Sequence, residues 1–298
     1  MLKKDVLTTK NKDFIYDHWQ ESASHLNGLA GAFFTPQPIA DLMTLEIGGA
    51  RREGKTRVID LCGGIGALSY PLTYKFLESF DLTIIELNPD YVEVGKRLIP
   101  QARWICADVL DLPSDLGHFD VAIANPPFGV IKSNGKSARY TGPNFEYKVL
   151  DVASDLANFG VFVLPQTSCP FKYSGVRCFE YVATNEKYLK FREQTGIKIT
   201  PNSGLDTETC GAVWHGVKVT VEIACVKLDN ARKRRLGLPV NEDDDCDGCD
   251  SFDGSSPEEE LSVALAALPE SEATEDASLP DVGLTSEPME SPVQFSLF

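Results

Sequence analysis

Cys62, Gly63, Gly64 and Gly66 fall within five residues of one another, just behind Asp60, and the apolar run that leads into them, Arg57-Val58-Ile59-Asp60-Leu61, reads as a buried strand. A glycine turn at a strand end lets backbone N–H groups come close to a ligand that larger side chains would hold away. Glu86 closes the next apolar run, residues 82–86, where its carboxylate can accept from two ribose hydroxyls. This pattern suits a ribose-bearing cofactor. A nicotinamide dinucleotide is one candidate, because dinucleotide enzymes pair such a turn with an acid about 20 residues further on. Metals are not expected. His18, His25, His118 and His215 share no spacing that would set two on one helical face with a carboxylate, and Cys246 and Cys249 have no second Cys or His pair after them. Asp243, Asp245, Asp247 and Gly248 match half a calcium loop, but its twelfth position is Gly254 where a glutamate is needed.

The elements that must position these residues alternate along the chain. Residues 13–29 form a mixed polar segment expected to be helical, followed by a helix capped by Thr35, starting at Pro36 and carrying the stripe Ile39, Leu42, Met43 and Ile47. After the glycine turn come a helix at 67–78, a strand at 82–86, a helix at 91–99, strands at 103–107 and 121–125, a helix at 145–158 and a strand at 160–164. Regular alternation of this kind predicts a doubly wound α/β sheet whose ligand sits at the carboxyl ends of its strands. Residues 217–223 alternate apolar and polar side chains and read as a late antiparallel strand near the sheet edge. The run Arg232-Lys233-Arg234-Arg235 has two readings of equal weight: a solvated helix end, or a phosphate track shared with Lys132, Lys136, Arg139 and Lys148.

Charge separates the chain into two parts. Of 44 acidic residues, 17 lie in residues 241–298, which contain no Lys or Arg, so residues 1–240 carry 28 basic against 27 acidic side chains. The expectation is one domain over residues 1–235 and a disordered acidic tail over 236–298. No apolar run approaches the roughly 18 residues of a membrane span, and residues 1–12 lack the apolar stretch of a signal peptide. With eight Cys scattered through apparent strands, a soluble intracellular protein with reduced thiols is expected.

The strand at 121–125 ends in Asn125-Pro126-Pro127-Phe128. Taken in chain order, Phe33-Phe34-Thr35-Pro36, the turn from Asp60 to Gly66, Glu86, Asp108 and this fourth-strand motif resemble the class I S-adenosylmethionine-dependent adenine-N6 DNA methyltransferases, over roughly residues 25–228. The resemblance implies a mostly parallel seven-stranded Rossmann-like sheet and S-adenosylmethionine as cofactor. By the same resemblance, Asp60, Gly64 and Gly66 surround the methionine moiety with Thr35 near its carboxylate. Glu86 takes the ribose, and Asp108, with Asp111 as its alternative, takes the cofactor's adenine. Cys62 replaces the first glycine of the family's turn.

The chemistry accounts for the fourth motif. An exocyclic amine is a poor nucleophile while its lone pair is delocalised, so the site must accept hydrogen bonds from both N–H groups as the nitrogen becomes tetrahedral. Asn125 Oδ1 and the Pro126 carbonyl are two such acceptors; Pro127 helps hold the turn rigid, and Phe128 offers a face for an extruded base. The expected enzyme is an adenine-specific DNA methyltransferase acting on DNA in the cytoplasm of a bacterial or phage-infected cell. An RNA base, a protein glutamine, or a non-catalytic replication adaptor are the alternatives.

In the tail, Ser256-Pro257-Glu258-Glu259 starts a short expected helix over 257–268. The terminal Gln294-Phe295-Ser296-Leu297-Phe298 resembles the peptide with which bacterial DNA-handling enzymes bind the sliding clamp, with Gln294 setting register and Leu297 and Phe298 filling an apolar pocket. Sequence recognition is left to the short loops at 129–144 and 166–196, or to a specificity subunit as partner.

Overall fold

The computed structural model describes residues 6–19, 34–50, 54–76, 79–133, 135–182, 184–212, 214 and 219–240. The expected tail helix at 257–268 and the peptide Gln294 to Phe298 lie outside the described residues. The chain enters through α1 (Thr9–His18), capped by Thr8, whose hydroxyl accepts from the Asn11 N–H. Next comes α2 (Gln37–Gly49), which buries Ile39, Ala40, Met43, Thr44 and Ile47. Pro36, not Thr35, occupies the N-cap of α2, and no side chain caps it. The Thr35 hydroxyl is engaged elsewhere, as described below.

Five parallel strands follow: β1 (Thr56–Leu61), β2 (Phe80–Glu86), β3 (Arg103–Cys106), β4 (Phe119–Ala124) and β5 (Ala157–Pro165), interleaved with α3 (Leu72–Lys75), α4 (Pro89–Leu98) and α5 (Phe145–Leu156). After a two-stranded ribbon of β6 (Phe171–Lys172) and β7 (Glu180–Tyr181) come α6 (Glu186–Thr195), β8 (Thr200–Pro201), β9 (Val221–Lys227) and α7 (Leu228–Arg235). The main sheet has seven strands in the order β3-β2-β1-β4-β5-β9-β8, and the last two pairings are antiparallel. Both faces are covered. Ile59, Leu61, Ala122, Ala124 and Phe162 pack on one side, while Val58, Ile84, Val121, Ile123 and Val161 pack on the other. This two-sided burial explains why the parallel strands read as unbroken apolar runs.

Three more expectations change. The segment after the glycine turn is helical only over α3, far short of 67–78, because Pro71 has no N–H to give the Ala67 carbonyl and residues 67–71 remain a series of turns. The late strand begins at Val221, four residues beyond its expected start, and lies inside β8. Its alternation misled because Glu222, read as solvent-facing, is fully buried and accepts from Gln166 Nε2, the Tyr173 N–H, and the N–H and hydroxyl of Ser174.

The basic run is the third. Arg232 donates to the Ser154 carbonyl (2.8 Å) and to Asn158 Oδ1 (2.7 Å), Arg234 to the Gly196 carbonyl (3.2 Å), and Arg235 to the Thr195 carbonyl (3.0 Å) while pairing with Asp155 (3.2 Å). Arg139 belongs to the same network through Asp155, which it meets at 2.5 Å, and it also pairs with Asp151 at 2.7 Å. These guanidinium groups serve the carboxyl ends of α5 and α6 beside the start of β5, the end of the sheet opposite its ligand crevice. The run does lie at a helix end, but Arg232, Arg234 and Arg235 are engaged by carbonyls and a carboxylate instead of solvent, and Arg139 is held in the same cluster. Arg232→Ala should lower the unfolding free energy in urea by about 1–3 kcal/mol, since it strands buried carbonyls. Cofactor affinity measured by calorimetry should not change.

Candidate cofactor and catalytic site

The strand order turns back between β1 and β4, which pair in parallel with Val58 opposite Val121 and Asp60 opposite Ile123. A crevice must open beyond the carboxyl ends of such a pair, because the connections leave in opposite directions. A cavity of about 260 Å3 lies there. It is lined by Thr35, Cys62, Gly64, Glu86, Asp108, Asn125 and Pro127 from the residues expected by sequence, together with Phe34, Tyr91, Ser133 and Phe145. Asp60, Gly66, Pro126 and Phe128 do not line it. Phe128 packs against the apolar cluster that contains Met43 and Val121. Gln294, Leu297 and Phe298 lie outside the described residues.

The glycine turn is built for close approach. Gly64 has φ +57°, and a Cβ there would stand 2.9 Å from the Phe34 ring. Its N–H donates to Glu86 Oε2 at 2.8 Å, and Glu86 Oε1 accepts from the Asn88 N–H at 2.8 Å. Burial pushes the Glu86 carboxyl up against the pull of these backbone donors. Cys62 holds φ +76°, the single left-handed non-glycine residue among the described residues. The family's glycine at this point thus answers a backbone demand that Cys62 meets under strain. Burial raises its thiol well above the usual range, and the charges of Glu86, Asp60 and Asp108 raise it further.

Asp60 sits behind the turn with 1% exposure. Its Oδ2 accepts from Ser69 Oγ at 2.6 Å, while Oδ1 is buried without a hydrogen-bond partner. Burial pushes its carboxyl up to about 7, a rise that Ser69 opposes and the Glu86 charge reinforces. Asp108 accepts from the Leu110 N–H at 2.9 Å and from Ser133 Oγ at 3.2 Å. Asp111, its alternative, is exposed and does not line the cavity. At the far wall, Asn125 Nδ2 donates to Thr35 Oγ1 at 3.0 Å, so the carboxamide is held by a residue 90 positions earlier.

Sequence reasoning missed several contributors. Ser69 and Ser133 act through hydrogen bonds across 9 and 25 residues. Tyr91 packs edge-on against Phe34 with ring centroids 5.3 Å apart, and Tyr16 in α1 donates to the Ile65 carbonyl within the glycine turn at 3.3 Å. The phenols of Tyr16 and Tyr91 carry no periodic or motif signal that would mark them. The donor set as a whole suits a cationic nucleoside. Three carboxylates converge around Cys62, one of them with an orphaned oxygen, and the turn can admit backbone contact.

Residues 58–156 match the family described as a methyltransferase domain. The type II methyltransferase M.BsuBI of Bacillus subtilis is 26% identical over 176 residues, covering 48% of this chain and 35% of that protein. The ubiquinone/menaquinone biosynthesis C-methyltransferase UbiE of Azotobacter vinelandii is 33% identical over 84 residues, covering 26% of this chain and 32% of that protein. The chain therefore spans about a third of the length of these curated relatives. A solved type I restriction-modification methyltransferase subunit from Streptococcus thermophilus aligns at 18% identity with a TM-score of 0.48, over 66% of this chain and 45% of that one. The fold is a Rossmann-like methyltransferase fold, and S-adenosylmethionine is the cofactor it implies.

Two outcomes follow from the turn. Folded Asp60 keeps its proton to about pH 7, whereas the unfolded chain releases it near pH 4. The folded state then binds more protons over that interval, so this group's contribution to stability falls as pH rises from about 4 to about 7 and is level above it. Asp60→Asn should reduce the loss of unfolding free energy between pH 5 and pH 8 by about 2 kcal/mol; identical pH profiles for the two proteins would contradict the assignment. Cys62→Gly should leave stability within about 1 kcal/mol of the parent, whereas Cys62→Val, forced into the left-handed region, should cost more than about 2 kcal/mol in the same unfolding measurement.

Proposed function

We propose that this protein transfers a methyl group from S-adenosylmethionine to the N6 amino group of adenine in DNA, with the base swung out of the duplex. The observation that carries this reading is the placement of Asn125. It stands at the tip of β4, in the same cavity as Gly64, Glu86 and Asp108, with its amide nitrogen engaged by Thr35. With Nδ2 turned to Thr35, Oδ1 is the acceptor end of the carboxamide. The likeness to a type II methyltransferase supports a DNA substrate.

When bound, the cofactor supplies a methyl already activated on a sulfonium. The chain's part is to bind and orient. Glu86 offers carboxylate lone pairs to the ribose hydroxyls, Gly64 allows the backbone to approach while Gly66 makes room for Ile99 and Trp104 behind the turn, and Asp108 would accept from the cofactor's adenine amino group. Asp60, once it gives up its proton, adds negative charge behind the turn, opposite in sign to the sulfonium and ammonium. Asn125 Oδ1 and the Pro126 carbonyl accept the two N–H groups of the target amine and favour its tetrahedral form. Two successive residues without an N–H keep that corner free of competing donors. No strong base is needed at the amine, because its proton becomes acidic once the methyl is attached. Positioning supplies most of the rate.

The remaining assignments belong to the same proposal. The peptide Gln294 to Phe298 would dock on a bacterial sliding clamp and keep the enzyme near newly replicated DNA in the cytoplasm. The loops at 129–144 and 166–196 are short, so sequence selection would be loose or would come from a specificity subunit.

Incubation with labelled cofactor and, separately, adenine-containing duplex DNA, ribosomal RNA and a glutamine-bearing protein tests the substrate. Label should appear at N6 of DNA adenine. Asn125→Ala should lower that rate about 100-fold or more with cofactor affinity unchanged. Label confined to RNA or protein rejects the DNA assignment.

A further inference from the structure

Glu146 lies in the first turn of α5 with only 1% of its surface exposed. A carboxylate so placed is costly unless its lone pairs are served. Three donors serve it, none of them a cation. The Gly129 N–H reaches Oε2 at 2.8 Å, while Asn144 Nδ2 (3.0 Å) and Ser168 Oγ (2.7 Å) reach Oε1. Their places in the chain give the arrangement its meaning. Gly129 is the residue directly after the Asn125-to-Phe128 corner, with φ +82°, and Ser168 ends the turn that follows the neighbouring strand β5.

Other bonds make this junction stiff. The Gly129 carbonyl accepts from the Phe145 N–H at 2.7 Å, Val130 and Asn144 form a β-bridge, and the Tyr147 hydroxyl donates to the Ser168 carbonyl at 2.7 Å. Phe145, the residue before Glu146, lines the cofactor cavity, whereas Glu146 does not. One buried carboxylate therefore joins the loops after β4 and β5 through the start of α5. The corner that carries Asn125 is held from both sides: Thr35 grips its carboxamide, and Glu146 grips its exit.

We infer that Glu146 is a positioning residue for methyl transfer: it fixes the backbone exit of the Asn125-to-Phe128 corner, and through it the distance between the two amine acceptors and the methyl group. This inference rests on the reading of Asn125 proposed above. An apolar side chain of similar volume would fill the space at lower desolvation cost, but it could not hold the Gly129 and Ser168 donors in a common register.

The test uses the full-length protein and its Glu146→Ala, Glu146→Gln and Glu146→Asp variants. Glutamine can restore the junction, with its carbonyl on the Gly129 N–H, its amide donating to Ser168 Oγ and the Asn144 amide turned over. Aspartate keeps the charge but falls one methylene short. On adenine-containing duplex, kcat should fall about 100-fold in Glu146→Ala, with KM for the cofactor within about threefold of the parent, and Glu146→Gln should return kcat to within about tenfold. Glu146→Asp should move in the same direction as alanine and serves in its place if that variant does not fold. Amide hydrogen exchange in the cofactor-bound protein gives a readout independent of substrate. Exchange at Phe128, Gly129 and Val130 should quicken about tenfold or more in Glu146→Ala or Glu146→Asp, with Gly63 to Gly66 unchanged. Unaltered exchange at those three amides, or parallel losses of cofactor affinity and kcat, overturns the inference. A parent protein that methylates no DNA refutes the substrate reading, and the exchange measurement still decides whether Glu146 ties the corner.

Discussion

The β1–β4 pairing is the constraint from which the rest of the molecule follows. Both strands are buried on both faces, so their side chains can do no chemistry along their length, and polar function is pushed to the strand tips. Because the connections after β1 and β4 depart in opposite directions, those two tips face one crevice. The glycine turn and the Asn125 corner, about 60 residues apart in the chain, become the two walls of a single cavity.

Within that cavity the electrostatics are one-sided. Asp60, Glu86 and Asp108 all bear on the Cys62 thiol, and Asp60 Oδ1 has no hydrogen-bond partner among the described residues. Burial raises Asp60 and Glu86, so holding both as carboxylates in the turn is costly. A ligand with a sulfonium and an ammonium would relieve it. Binding and the cost of ionising these carboxylates are thus two views of the same charges, which is the usual relation between stored strain and function at a strand-end site. Cys62, held left-handed at the same turn, adds a backbone contribution of the same kind.

Around the two walls, a small set of long-range hydrogen bonds sets the geometry. Ser133 ties the loop beyond Asn125 to Asp108, Thr35 ties α2's approach to Asn125, and Tyr16 ties α1 to the glycine turn. Each joins a wall of the cavity to an element distant in sequence. The cationic cluster of Arg139, Arg232 and Arg235 does corresponding work at the other end of the sheet, where it completes helix termini.

Much of this was written in local patterns. Apolar runs ending in Asp60, Glu86 and Ala124 announce buried parallel strands, and the order of the glycine turn, the acids and Asn-Pro-Pro-Phe announces the fold and its cofactor, because strand burial and close backbone approach restrict residue type at each position. Where a neighbour outside the window decides, the pattern fails. Pro71 cuts a helix that periodicity favoured, Glu222 turns a seemingly amphipathic strand into a buried one, and the Arg232 run finds carbonyls of α5 instead of solvent. Glu146, Ser69 and Thr35 show the same limit at the site, since a carboxylate or hydroxyl in the sequence carries no mark of the partner it will meet 9 to 90 residues away. The sequence by itself determined which residues stand at the strand tips; only the tertiary structure decided which of them are held, and by what, because hydrogen bonds between distant segments exist only after the sheet has brought those segments together.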